Sequence, residues 1–359
     1  MIPQCVRPAA RRLRIPLLLL WGSACRTGAP SHQVPDPTPA HIRRLRISAP
    51  ASACPGQDFG VVYDADLDDG TIKELPSGLV DLLGTNATPT ETGQWRASAD
   101  PLASVASGFR VVATLRANQR IADTVVIAPE YSCLARRYRF AGGRGDRGKR
   151  GHDGPAVTIR VGFLHTPFYA TLAVAAIQVA DRAPFYIVAD AATILPADWL
   201  EIESVGGEGG AGDQGGPGRR GTDGLGGCPA SPGGDGGSGR AGGPGGAGGS
   251  GGPITIIGPS DWPLFVGLVR PRSPGGAGGS GGAGGTGGPG GRGGLGAEAA
   301  HGRCADGLGG RDGDAGPDGP AGPQGYAGPS PRIVVVDPGD VFGANAPSVL
   351  RELARGPGR

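Results

Sequence analysis

The chain has 359 residues, of which 72 are glycine and 35 proline, and only 5% are aromatic. With 34 basic and 32 acidic side chains its formal charge is +2 at pH 7, so no charge excess draws it to nucleic acid. Glycine and proline in such amounts without order read as disorder; here glycine recurs at every third residue, a period that belongs to neither helix nor strand.

The first residues have the order of an export signal. Arg7, Arg11, Arg12 and Arg14 form a basic segment, Ile15 to Trp21 an apolar run, and Gly22, Ser23 and Ala24 a small-residue stretch before Cys25. The apolar run is too short to span a bilayer. A cysteine directly after small residues resembles the lipobox of bacterial lipoproteins. The resemblance implies that residues 1–24 are removed, that Cys25 is lipidated, and that the protein is held to the membrane through acyl chains. Gly22 stands where that motif usually carries leucine, and plain secretion is the alternative. Removing residues 1–24 takes away four arginines and no acid, so the charge falls from +2 to −2. Residues 25–40, rich in Pro, Ser and Thr, read as a tether.

Of six cysteines, Cys5 leaves with the signal and Cys25 is assigned to lipid. Cys54, Cys133, Cys228 and Cys304 remain, an even number that suits two disulfides in an oxidising compartment. None has zinc-site spacing.

Residues 41–140 predict a small β-sandwich, with strands at Arg43–Ser48, Gly60–Ala65, Phe109–Arg116 and Asp123–Ala128. The order Gly93-Gln-Trp-Arg-Ala-Ser98, spacer, Gly108-Phe-Arg-Val-Val-Ala-Thr-Leu115 is similar to bacterial Ig-like surface domains. Cys54 near its start and Cys133 near its end are expected to staple this domain. A second β-rich block follows, with strands at Val157–Leu164, Thr171–Val179, Phe185–Ala189 and Leu200–Val205. Ile254–Ile257, Leu264–Val269 and Arg332–Val336 are further strands, so each glycine tract adjoins a strand.

Three residues per turn is the period of the polyproline II helix, which rises about 3.1 Å per residue. A face lined by glycine can pack directly on another backbone. Gly-Gly-x, which dominates 233–253 and 275–295, leaves two such faces and predicts interior helices. Gly-x-x, in 142–156 and 310–330, leaves one and predicts outer ones; 206–227 is mixed. The runs 233–253, 275–295 and 310–330 have equal lengths, about 65 Å each, as side-by-side packing requires. Fold-backs are expected at 228–232 and 297–309. With all strands at one end, Cys228 and Cys304 meet at the other. The repeats resemble the polyproline II bundles of snow-flea antifreeze proteins and the glycine-rich collagen-like bacterial lipoproteins, over residues 142–337. Two rivals stand beside the bundle: disordered loops, and a collagen trimer, for which only Gly316–Ser330 has the proline pattern. Residues 338–359 read as a tail.

Repeats also generate motifs by chance. Gly210–Gly215 matches GxGxxG with no helix after it, and Ser250 and Ser280 sit in GxSxG without a strand–turn–helix context. Arg144-Gly145-Asp146 spells an adhesion tripeptide. Asp312, Asp314 and Asp318 lack the spacing of a calcium loop, and His32, His41, His152, His165 and His301 are scattered. No catalytic residue, cofactor or metal is expected. The expectation is a monomeric, non-enzymatic envelope lipoprotein with a structural or adhesive role toward envelope polysaccharide or a surface protein. Two alternatives are a binder of a repetitive surface, polysaccharide or ice, through the row Ala277, Ser280, Ala283 and Thr286, and a disordered spacer carrying an Ig-like domain.

Overall fold

The computed structural model describes residues 41–194 and 199–354. The signal, Cys25 and the tether lie outside the described residues. The fold is mainly β with little helix.

The N-terminal domain has ten short strands: β1 (Ile42–Ser48), β2 (Ser52–Ala53), β3 (Asp58–Phe59), β4 (Val62–Leu67), β5 (Ile72–Glu74), β6 (Val80–Thr85), β7 (Ala87–Pro89), β8 (Trp95–Ala97), β9 (Phe109–Leu115) and β10 (Ala122–Pro129). They form three sheets, β1-β4-β5, β2-β10-β9-β6 and β3-β8-β7. Strand β9 alternates: Phe109, Val111, Ala113 and Leu115 are buried, and the residues between them are less so, which is the period of a half-buried strand. These four pack with Leu45, Tyr63, Trp95 and Ile127 in one core. There the Trp95 indole N–H donates to the Tyr63 hydroxyl at 2.8 Å, so neither buried polar atom is left unpaired. Cys54 and Cys133 are disulfide-bonded with Cα atoms 6.4 Å apart, closing the domain.

Two sheets follow, face to face. One is parallel, β11 (Arg137–Ala141), β15 (Leu200–Val205) and β17 (Val269–Arg272). The other runs β14 (Phe185–Asp190), β13 (Leu172–Val179), β12 (Val157–Leu164), β16 (Ile254–Pro259), β20 (Arg332–Val336). Ile159, Ile177, Trp199, Ile202 and Ile256 fill the space between them. Strand β13 is buried from Leu172 to Ile177, because its opposite face is covered as well. On that face Leu164, Leu172 and Val188 meet Leu102 and Tyr131 of the N-terminal domain and Val341, Phe342 and Leu350 near the C-terminus.

Residues 338–354 are thus part of the core rather than a trailing tail: a 3-10 turn (Pro338–Asp340) and a helix (Ser348–Ala354) bury Val341 and Leu350. The strand expected at Leu264–Val269 is instead a 3-10 helix, Pro263–Leu268, and β17 begins only at Val269. Pro263, with no N–H and a fixed φ, suits the first turn of a helix and not a ladder strand.

Six glycine-rich tracts complete the chain: I (142–147), II (149–156), III (206–227), IV (233–253), V (275–296) and VI (307–330). Strands β11 and β15 run directly into tracts I and III, and β17 reaches tract V after Ser273 and Pro274; tracts II and IV run directly into β12 and β16, and tract VI reaches β20 after Pro331. The side-by-side order of the strands is therefore the order of the tracts. A small hairpin, β18 (Glu298–Ala299) with β19 (Gly302–Arg303), joins V to VI at the far end.

Candidate functional surfaces on the tracts and the sheet pole

The tracts make two layers. Within the first, tract I bonds to III and III to V in parallel: Gly145 N–H donates to the Glu208 carbonyl, and Gly209, Gly212 and Gly215 to those of Ala277, Ser280 and Ala283, all at 2.8–2.9 Å. Within the second, II bonds to IV and IV to VI in the same way, as in Gly151 to Ala247 and Gly239 to Asp314. Between layers the tracts run antiparallel: Gly243 donates to Asp213, Gly282 to Gly243 and Gly316 to Gly285. The donor recurs every third residue throughout.

Tracts IV and V, with doubled glycines, are packed against backbone on two glycine faces along their length. In V the first glycine of each pair lies against tract VI and the second against tract III. A Cβ on Gly284 would overlap the Gly316 carbonyl, and one on Gly285 the Gly216 carbonyl. Glycine is required here by close approach, not by a left-handed backbone. The exception explains itself: where IV gives up a glycine at Arg240, III offers an extra one. A Cβ at Gly216 would meet only the Arg240 side chain, at 3.6 Å. Gly148 is different again, because its φ of +69° makes the turn from I to II.

Aspartate followed by glycine forms a recurring clamp. Asp153, Asp223 and Asp235 accept the N–H groups of Ser250, Arg292 and Arg311 at 2.7–2.8 Å, while the next glycine donates to the carbonyl of that same residue. Asp306, Asp312 and Asp318 accept from Gly296, Gly290 and Gly284 of tract V. Asp146, Asp213 and Asp314, each followed by another residue type, make no such bond among the described residues. The Arg292 N–H bond, with Arg220 nearby, holds the Asp223 carboxyl below the ordinary aspartate value.

Charge follows the same register along the outer edge. Arg137 and Arg139 pair with Glu201 and Glu203 at 3.1 and 3.9 Å, and Arg144 and Arg147 with Glu208 and Asp213 at 3.8 and 3.7 Å. The arginine spacing changes from two to three where strand becomes tract. At that seam the buried Ser204 hydroxyl donates to the Pro155 carbonyl at 2.6 Å, and the Ser273 hydroxyl donates to the Gly252 carbonyl. Two serines thus stitch the layers where the backbone changes rise.

The residues singled out by sequence fall as follows. Cys228 and Cys304 are disulfide-bonded at the far end, Cα atoms 5.6 Å apart. Ala277, Ser280, Ala283 and Thr286 are all exposed. Asp312 and Asp318 are clamps, a role the acidic spacing alone did not reveal. Arg144 and Asp146 are engaged with Glu208 and Lys149. The Ser250 hydroxyl accepts from Arg150 at 2.8 Å, with no histidine in the arrangement. Among the described residues no three His, Cys, Asp or Glu side chains form a metal-binding group, and no helix is long and apolar enough to cross a membrane.

One feature was not visible in the sequence. At the pole opposite the tracts a cleft of about 1020 Å³ opens between the ends of β12, β14 and β16 and the C-terminal segment. Phe163, Phe168, Tyr169, Trp262 and Phe342 line it. Gly162 lets the Phe342 ring sit on the strand, since a Cβ there would come within 2.9 Å of it. Trp262 stands edge-on to Phe163 with centroids 5.4 Å apart and is 61% exposed, whereas Trp95 and Trp199 are at most 1% exposed. Tyr169 donates to the Pro129 carbonyl at 2.6 Å, and burial pushes its hydroxyl pKa up. The polar lining comprises His165, Thr171, Asp190 and Asp261, with no lysine or arginine among the described residues.

Comparison with known proteins adds no relative. No family matches the chain, no curated protein is similar to it, and no solved structure matches its fold.

Proposed function

We propose that this is an exported cell-envelope protein with a structural or adhesive role, lipid-anchored through Cys25. In this reading an Ig-like N-terminal domain is displayed on a rigid bundle of six polyproline II helices. The observation that supports it best is the hydrogen-bond lattice with a donor every third residue, continuous with two β-sheets and tied at its far end by Cys228–Cys304. Three residues per turn and a glycine face against each neighbour are the requirements of polyproline II packing. Two disulfides suit an oxidising compartment, which accords with the signal-like N-terminus.

Circular dichroism of the mature chain tests the bundle. A polyproline II signature is expected, melting cooperatively, at a temperature independent of concentration and lower after reduction. A weak, non-cooperative signal overturns the bundle; a concentration-dependent melt points to a collagen-like trimer instead. Location is tested separately, by expressing the Cys25→Ala variant in a bacterial host with lipoprotein export. Wild type is expected in the membrane fraction and the variant in the soluble exported fraction. Wild type in the cytosol sinks the export reading.

A further inference from the structure

We propose that the cleft at the sheet pole is a carbohydrate-binding site for an uncharged sugar ring, with Trp262 as its stacking platform. This inference is separate from the structural role of the tracts, so its failure leaves that role standing.

Three observations lead to it. First, the cleft gathers five of the chain's eighteen aromatic residues. Most of its lining is apolar and concave, the common form of a small-ligand site. Second, Trp262 breaks the pattern set by the other described tryptophans. Those are buried in cores, whereas this one keeps 61% of its surface in water at the cleft mouth, with Phe163 bracing its edge. An exposed indole held by a second ring presents a flat apolar face. The apolar C–H face of a pyranose fits such a face, and its hydroxyls remain free to turn toward polar groups.

Third, the polar groups select the sign and the bonding sense of the ligand. Asp190 and Asp261 are acceptors when ionised. The His165 Nδ1 lies 2.7 Å from the Ala170 carbonyl, and a carbonyl can only accept, so Nδ1 carries the proton. In the neutral ring Nε2 is then the acceptor. Thr171 adds a hydroxyl. A lining of acceptors without lysine or arginine disfavours phosphate, sulfate and carboxylate ligands. It suits a ligand whose polar groups are hydrogen-bond donors on an apolar frame, and a neutral sugar is such a ligand.

The cleft is also well supported. Its walls come from β12, β14, β16 and the C-terminal segment, and Phe168 reaches back against Gly108 of the N-terminal domain, where a Cβ would come within 2.8 Å of the ring. Side chains anchored in this way hold their positions before a ligand arrives.

The test is an array of neutral, acidic and basic glycans probed with the mature oxidised chain. Titration of the best neutral oligosaccharide follows, read by calorimetry and by tryptophan fluorescence. Binding to neutral glycans is expected, with at least a tenfold loss in Trp262→Ala and partial retention in Trp262→Phe. Asp261→Asn, which keeps an acceptor, is expected to bind more weakly than wild type but better than Asp261→Ala. Trp262 and Asp261 are exposed, so an unchanged thermal melt shows that each variant is folded. Binding only to acidic or only to basic glycans, no binding at all, or undiminished binding in Trp262→Ala overturns the proposal.

Discussion

In the N-terminal domain, side chains such as Phe109, Trp95 and Ile127 fill the space between sheets, and backbone hydrogen bonds stay within each sheet. In the tracts the backbone of one strand of chain fills the space beside the next, and side chains lie at the outside. The first region is stabilised by apolar area removed from water. The second buries little apolar area and depends on saturated backbone bonding, with glycine contributing nothing but its lack of bulk. The two should fail in opposite ways: the N-terminal domain when atoms are removed, the tracts when atoms are added.

Phe109→Ala is the sharpest attack on the N-terminal core. Phe109 is fully buried, and losing its ring should cost about 4 kcal/mol, read as a lower guanidinium midpoint. Gly285→Ala attacks the tracts by adding one carbon against the Gly216 carbonyl. It should cost about 3 kcal/mol, as overpacking against an unyielding backbone does. Its control is Gly216→Ala on the facing tract, where the new carbon meets only the Arg240 side chain; that change should stay within about 0.5 kcal/mol. Equal effects from the two substitutions would show that general glycine content, not close approach, holds the tracts.

The seam between regions comes next. Ser204→Ala removes the hydroxyl that satisfies the Pro155 carbonyl in a buried place, at about 2 kcal/mol. Hydrogen exchange should show the loss first at Gly252, whose N–H donates to the Ser204 carbonyl.

The smallest effect is a pH dependence from the Asp-Gly clamps. Asp223 has its pKa lowered in the folded chain, chiefly by the Arg292 N–H. Its contribution is therefore complete above the ordinary aspartate value and is lost as pH falls through the lowered one. Asp223→Asn keeps an acceptor but cannot titrate, so the variant should melt with a shallower acid dependence than wild type. An unchanged acid profile would remove Asp223 from the account.

Much of the tract geometry was legible in residue types. Doubled glycines marked the tracts that meet other backbones on two faces, because each such face must be bare. The turns at 228–232 and 297–309 followed from the interrupted period, and the Cys228–Cys304 pair followed from the turns. Strands Val157–Leu164, Leu200–Val205 and Arg332–Val336 were read to the residue, since long β-branched runs leave little choice. The strands β2, β3, β5, β7 and β8 escape such a reading because two or three residues cannot display a period. The C-terminal helix was missed because Val341 and Leu350 are buried by a sheet face that the local sequence does not mention. The cleft was invisible for the same reason. Phe163, Trp262 and Phe342 come from distant segments and adjoin only once β12, β16 and β20 are side by side. The Asp-Gly clamp was readable in principle, since the dipeptide recurs at Asp306, Asp312 and Asp318 with a spacing of two triplets.

The near-equal lengths of the four long tracts, III to VI, carry an evolutionary consequence. Each tract is bonded to neighbours running both ways, so one lost triplet in tract V would shift its partners on III, IV and VI by one step beyond the break. A change of length is tolerated only if it occurs at the same height in all of the long tracts. Such a body cannot grow or shrink by the single insertions that surface loops accept. It changes height by whole courses, like masonry.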